Sequence, residues 1–210
     1  MSGFDDPGFF GDRWADDYGN GPDPTLAVEF LAGLAGEGRV LELASGTGRV
    51  TLPLSARGVD VQGVEGSTAM VARMRERPGG AQIPVVVGDM ADVPVSGPFE
   101  LVFLVFDTLF NLPSPERQMD CFRNVAQVLA PDGAFVLECF VPDQGKFDRG
   151  SRVEALEVTE DSATIQAGLE LQERYADWER RPFDSDSTSH ISVYRPAAGA
   201  SRHIRTGVNG

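Results

Sequence analysis

Val40-Leu41-Glu42-Leu43-Ala44-Ser45-Gly46-Thr47-Gly48-Arg49 is the stretch on which the fold turns. A short apolar run over residues 39–44 ends in a turn of small residues, and a helical pattern follows over residues 49–57. Small side chains let a ligand approach the backbone closely, and the amides at a helix start point toward it. So far the pattern suits a dinucleotide as well as other nucleotide-like cofactors. Two features tilt the choice. A dinucleotide turn places a third small residue three positions after Gly48, where this chain has Thr51. Glu42 also lies inside the strand, where a cationic amino group could use a carboxylate and a pyrophosphate could not.

Outward from this turn, strands and helices alternate. Pro24 and Thr25 open an amphipathic helix with Leu26, Val28, Phe30, Leu31 and Leu34 as its apolar members, ended by Gly36 and Gly38. Beyond the turn come a second strand over 59–65, a helix over 67–77 and a third strand over 83–87. A fourth strand over 101–106 is almost continuously apolar, as burial on both faces requires. A helix over 115–129 ends at Pro131-Asp132-Gly133, and a fifth strand covers 134–141. This rhythm predicts an α/β fold: a Rossmann-like, doubly wound, mostly parallel sheet. After Pro142 the pattern changes to a hairpin over 153–166 and two alternating strands at 169–175 and 189–194. Residues 1–24 read as an arm over the cofactor site with a short helix at 11–18. Residues 25–195 form one domain, and residues 196–210 a tail expected to lack order.

Composition narrows the function. The chain has 210 residues, enough for one sizeable core, and 41% of them are hydrophobic. Its net charge of -14 repels phosphate backbones and anionic lipid, which argues against nucleic-acid and membrane partners. Apolar runs are too short to span a bilayer, and the acidic start differs from a secretory leader, so a cytoplasmic location is expected. Cys121 and Cys139 fall in buried patterns as free thiols, and without a Cys/His cluster no metal site is expected.

Further signals close successive strands. Glu65 ends the second strand in Val64-Glu65-Gly66-Ser67, where a carboxylate can accept bonds from both hydroxyls of a ribose, or complement a helix dipole. Met70 follows one turn into the next helix, as a lid on an adenine or as core. Gly88-Asp89-Met90 closes the third strand, with Asp89 as partner for an adenine amino group or as a turn residue.

Taken in order, Glu42 to Arg49, Val64 to Met70, Gly88-Asp89-Met90 and Leu129-Ala130-Pro131-Asp132-Gly133 resemble class I S-adenosylmethionine-dependent methyltransferases. The resemblance is closer to the small-molecule enzymes of bacterial secondary metabolism, and runs from about Trp14 to Tyr194. It implies an antiparallel C-terminal strand, S-adenosylmethionine as cofactor, S-adenosylhomocysteine as product, and a small-molecule acceptor. By the same resemblance Gly46 and Gly48 cradle the methionine part, with Glu42 and Ala44 beside them. Glu65 with Gly66 holds the ribose, Asp89, Met90 and Met70 frame the adenine, Phe106 faces the cofactor, and Tyr18 covers the methionine carboxylate. Ala44 stands where the family's turn has its first glycine.

Against the family pattern, several dozen residues are missing before the last two strands. One sheet face near the fifth strand is therefore expected to be bare, covered by a second copy in a homo-oligomer, or the substrate pocket to be reduced. No base can be assigned. Asp107 is the candidate, with capping of the next turn as its other role; Glu138, Asp143 and His190 follow. Phe9, Phe10, Trp14, Phe106 and Phe110 line an acceptor pocket or pack the arm on the sheet. Three functions stay open: methyl transfer, cofactor binding by a scaffold that has lost transfer, and a nicotinamide-dependent oxidoreductase.

Overall fold

The computed structural model describes residues 6–14, 21–141 and 167–197. β1 (Val40–Leu43) is buried along its whole length, which places it at the centre of a sheet covered on both faces. It pairs in parallel with β2 (Val61–Glu65) on one side and β4 (Phe99–Leu104) on the other, and β3 (Val85–Val87) lies beyond β2. β5 (Leu129–Phe140) continues from β4 in parallel. β7 (Ser189–Pro196) runs antiparallel to β5, and β6 (Leu169–Tyr175) antiparallel to β7. The order is β3-β2-β1-β4-β5-β7-β6 in one seven-stranded sheet, so the expected doubly wound fold with an antiparallel C-terminal strand is what forms. Chain order reverses between β1 and β4. At such a point the connections diverge to opposite sides and leave a crevice at the strands' carboxyl ends.

Alternation along the strands sorts the core into two layers. α2 (Thr25–Ala35) and α3 (Thr51–Ala56) bury Val28, Phe30, Leu31 and Leu54 in a cluster with Val40, Leu101 and Phe103. On the opposite face α5 (Pro115–Val128) buries Cys121, Phe122 and Val125 with Leu41, Val102, Phe135 and Leu137. Each such side chain contributes about 1.5–3 kcal/mol of burial, which fixes the strand ends relative to one another.

Several expectations need correction. The helix expected over 11–18 is α1 (Phe9–Trp14), and Tyr18 lies outside the described residues. In α2, Asp23 Oδ1 accepts the Thr25 amide at 2.9 Å and sets the phase; Ala27 is buried and Leu26 is 47% exposed. α3 starts at Thr51, not at Arg49, with no side-chain cap. β4 ends at Leu104 because Phe106 and Asp107 turn to φ of 62° and 56°. β5 begins at Leu129: Phe99 pairs with Leu129 and Leu101 with Ala134, so Pro131-Asp132-Gly133 sits in a bulge within the strand. β7 runs through Pro196, past the expected domain edge. The hairpin at 153–166 and the tail from 198 lie outside the described residues.

The bare face beside the fifth strand is not found. Phe135, Leu137 and Cys139 on one side and Ala134 and Val136 on the other are all buried, and exposure begins at Phe140. A second subunit has no bare described surface there to cover. Among the described residues no helix is long and apolar enough to cross a membrane.

Candidate functional site

The crevice between β1 and β4 holds a cavity of about 750 Å³. Ala44, Ser45, Gly46 and Thr47 after β1, Glu65 and Gly66 at the end of β2, and Asp89 and Met90 after β3 form one half. Val105, Phe106, Thr108 and Asn111 after β4 form the other. Glu42 and Arg49 reach in from the β1 side, Met70 from α4 (Thr68–Glu76), and Arg117 from α5. Asp6, Pro7 and Gly11 of the N-terminal segment also line it, and the Ser67 hydroxyl donates to Asp12 of α1.

The two glycines of the turn differ. Gly46 has φ +55°, and beyond its neighbours a Cβ would meet only the Ala44 carbonyl, at 4.0 Å. Gly48 has φ +81°, and a Cβ there would fall 2.8 Å from Leu52 Cγ and 2.9 Å from Met74 Cγ. Gly48 does not line the cavity; it lets α3 and α4 close on the turn. Its observed part is thus in packing the turn, next to the cavity lining. Ala44 carries φ 53°, a left-handed conformation that costs an alanine about 1 kcal/mol relative to glycine.

Two carboxylates govern the electrostatics. Glu65 Oε2 accepts the Gly46 amide at 2.7 Å and Oε1 the Ser67 amide at 2.9 Å, so the ends of β1 and β2 are tied by one side chain. Burial pushes its carboxyl above the usual range, and the amides of Ser67, Gly46 and Gly66 oppose that. Glu42 is only 3% exposed. Burial pushes its carboxyl up to about 8, against the Thr51 hydroxyl that donates to it and the nearby Arg49 charge. The Ser45 hydroxyl, packed over Gly63, is buried with no hydrogen-bond partner among the described residues. Such an unmade bond costs roughly 1–3 kcal/mol.

The adenine-side reading of Asp89 meets a residue that sequence reasoning missed. Arg117 Nη2 donates to Asp89 Oδ2 at 2.8 Å and to Asp92 Oδ1 at 2.9 Å, while Asp89 Oδ1 accepts the Ala91 amide at 2.8 Å. Asp89 is thus not an isolated acceptor but one end of an ion cluster that holds Arg117 protonated. A signal was available. Ser114 caps α5 and Pro115 begins it, so Arg117 sits in its first turn, and helix starts in this fold lie at the strands' carboxyl ends.

On the β4 side Phe106 faces the cavity under the Arg49 guanidinium. Asp107 does not line the cavity and makes no cap for the following turn; its Oδ1 accepts the Phe140 amide at 2.5 Å. Its expected capping role is not met. Phe110 packs on Phe140 with ring centroids 4.8 Å apart, outside the cavity lining. His190 lies against Ser192 and Phe183 on β7, away from the cleft, and Asp143 is outside the described residues.

With this geometry in hand, residues 40–133 match the family described as a methyltransferase domain. The CcbJ methyltransferase from Streptomyces caelestis is 33% identical, superposes with a TM-score of 0.78, and is matched over 94% of this chain and 99% of that one. A cypemycin N-terminal methyltransferase from a Streptomyces species is 29% identical over 110 residues, 52% of this chain and 44% of its own. The chain spans less than half the length of the curated relatives it matches. The glycopeptide N-methyltransferase MtfA, solved with S-adenosylmethionine and with S-adenosylhomocysteine, shares the fold at 19% and 18% identity and TM-scores of 0.64 and 0.65 over 87% and 89% of this chain and 91% and 97% of the other.

Proposed function

Because the chain belongs to the class I S-adenosylmethionine-dependent methyltransferases, we propose that it transfers a methyl group from S-adenosylmethionine to a small-molecule acceptor. The observation that carries this is the pairing, across one cleft, of a glycine turn with room at Gly46 and a carboxylate, Glu65, held at the end of the next strand. We infer that Glu42, Ala44, Ser45 and Gly46 hold the amino-acid end of the cofactor. Glu65 and Gly66 take the ribose, and Met70, Asp89 and Met90 the adenine.

When bound, the cofactor supplies a methyl group activated by a sulfonium. The chain's own contribution is alignment and field. Acidic side chains at Asp6, Glu42, Glu65 and Asp89 line a cleft that also takes in Arg49 and Arg117, which suits a cationic ligand. Phe106 gives the β4 side of the cleft an apolar wall. No cleft carboxylate is placed as an obligatory base, so the account favours an acceptor that arrives with a lone pair, such as a neutral amine. The names of two similar proteins, a cypemycin N-terminal methyltransferase and the glycopeptide N-methyltransferase MtfA, support that choice. A scaffold without transfer was the other reading, motivated by the residues missing before the last two strands; the likeness to methyltransferases does not favour it.

The test is incubation with methyl-labelled S-adenosylmethionine and a panel of small amines and alcohols. Label in a product, with stoichiometric S-adenosylhomocysteine, is expected for an amine. Cofactor binding with no acceptor-dependent turnover across the panel would contradict transfer to this class.

A further inference from the structure

Glu138 lies in the middle of β5, half-buried, and is not part of the cleft lining. Its two carboxylate oxygens serve two distant segments. Oε2 accepts the Phe106 amide at 2.9 Å, and Oε1 accepts the Trp178 indole N–H at 3.0 Å. The neighbouring main chain repeats the link: the Asp107 amide donates to the Glu138 carbonyl at 3.3 Å, and the Phe140 amide to Asp107 Oδ1 at 2.5 Å. These bonds grip two consecutive non-glycine residues at positive φ, Phe106 at 62° and Asp107 at 56°. Each such residue is strained by about 1–3 kcal/mol and persists only where its surroundings hold it. Trp178, in turn, is fixed by an edge contact with Phe30 of α2, ring centroids 5.5 Å apart.

We propose that Glu138 is a positioning residue: its carboxylate, bridging the Trp178 indole and the Phe106 amide, holds the strained turn that sets the Phe106 wall of the cleft. The assignment rests on reading that cleft as the S-adenosylmethionine and S-adenosylhomocysteine site. It also explains why a carboxylate stands inside a buried strand. Burial raises the Glu138 carboxyl above its usual range, and the Phe106 amide and Trp178 indole are the groups that oppose this, with Arg49 adding to them and Asp107 working against. Both bridged partners are donors. Only a group with an acceptor on each side satisfies both; a glutamine has one acceptor and one donor, and its NH₂ must oppose one of the two N–H groups.

That chemistry sets the experiment. S-adenosylhomocysteine is titrated calorimetrically into the wild type, Glu138→Gln, and Glu138→Gln combined with Trp178→Phe, with folding followed by circular dichroism. Glu138→Gln is expected to weaken binding about tenfold, the loss of a charge-assisted hydrogen bond. Removing the indole donor frees the glutamine oxygen for Phe106, so the double variant should recover to within about twofold of wild type. A single variant that binds as wild type, or a double variant no better than the single, overturns the proposal. Should Glu138→Gln fail to fold, a folded double variant supports it and an unfolded one overturns it. A wild type that does not bind S-adenosylhomocysteine overturns the cofactor reading itself, and the assignment falls with it.

Discussion

The cleft has two halves, and they are held by different means. At the ends of β1 and β2 the backbone shapes the site: small residues turn at Gly46 and Gly48, and Glu65 binds the amides of Gly46 and Ser67. After β4 bulky residues, Phe106 and Asp107, occupy the same left-handed conformations; Glu138 on β5 holds the first, and Asp107 is tied to Phe140 of β5. The first half avoids strain by composition, apart from Ala44. The second accepts strain and restrains it with carboxylate acceptors. A turn built on glycine tolerates many ligand-facing changes, whereas one built on Phe106 and Asp107 depends on partners more than thirty residues away.

The contrast can be broken at the glycines first. Gly48→Ala is expected to cost about 3 kcal/mol, combining left-handed strain with overlap onto Leu52 and Met74. Gly46→Ala should cost only about 1 kcal/mol of stability, because space is open there. Denaturant unfolding measures both. Equal losses would mean that the two glycines do not divide the work as described.

Next in size is Glu65→Ala, which removes the tie between β1 and β2 and the inferred ribose acceptor. Affinity for S-adenosylhomocysteine should fall about fiftyfold, as expected for losing bonds to a charged group. A drop no larger than that for Glu138→Gln would erase the difference between the halves.

Glu42 gives a pH signature. Burial raises its carboxyl from 4.5 to about 8 in the fold, so between those values the folded chain binds more protons than the unfolded one. By linkage the ligand-free fold then loses stability as pH rises through that window. Glu42→Gln should flatten the dependence, read as melting temperature against pH. A cofactor ammonium placed beside Glu42 would favour the carboxylate, so binding near neutral pH should release a proton, detectable in buffers of different ionisation enthalpy. Binding without proton release would move the amino-acid end away from Glu42.

The smallest expected effect is a gain. Ala44→Gly relieves the left-handed alanine and should stabilise the fold by about 0.5–1 kcal/mol, part of which glycine returns as unfolded-state entropy. A loss of stability would show that the methyl group packs usefully against its neighbours.

These contrasts also explain what was legible in the sequence. The β1–β2 half is local: strand, small turn and closing acid lie within a few residues, so that Glu42, Gly46, Glu65 and Asp89 share one cleft was legible from their order along the chain. The parallel order followed from alternation. Gly48 was assigned to the cradle because sequence gives no access to Leu52 and Met74 closing on it. Arg117 was not singled out from the sequence, although its first-turn position on α5 pointed to the cleft. Glu138 and Asp107 were weighed as bases because a carboxylate near a strand end suggests chemistry. Their work is holding Phe106 and Phe140 by contacts across 32 and 33 residues, which no local pattern encodes. Strand limits failed where the backbone left its regular path, at Phe106 and in the bulge around Asp132.

The most direct measurement is calorimetric titration of the purified chain with S-adenosylmethionine and S-adenosylhomocysteine, with NAD(H) as the control. The account predicts a single site that binds both sulfur compounds at micromolar concentration and does not take up the dinucleotide. Binding of NAD(H) with none of S-adenosylmethionine, or no binding of any of them, would contradict it.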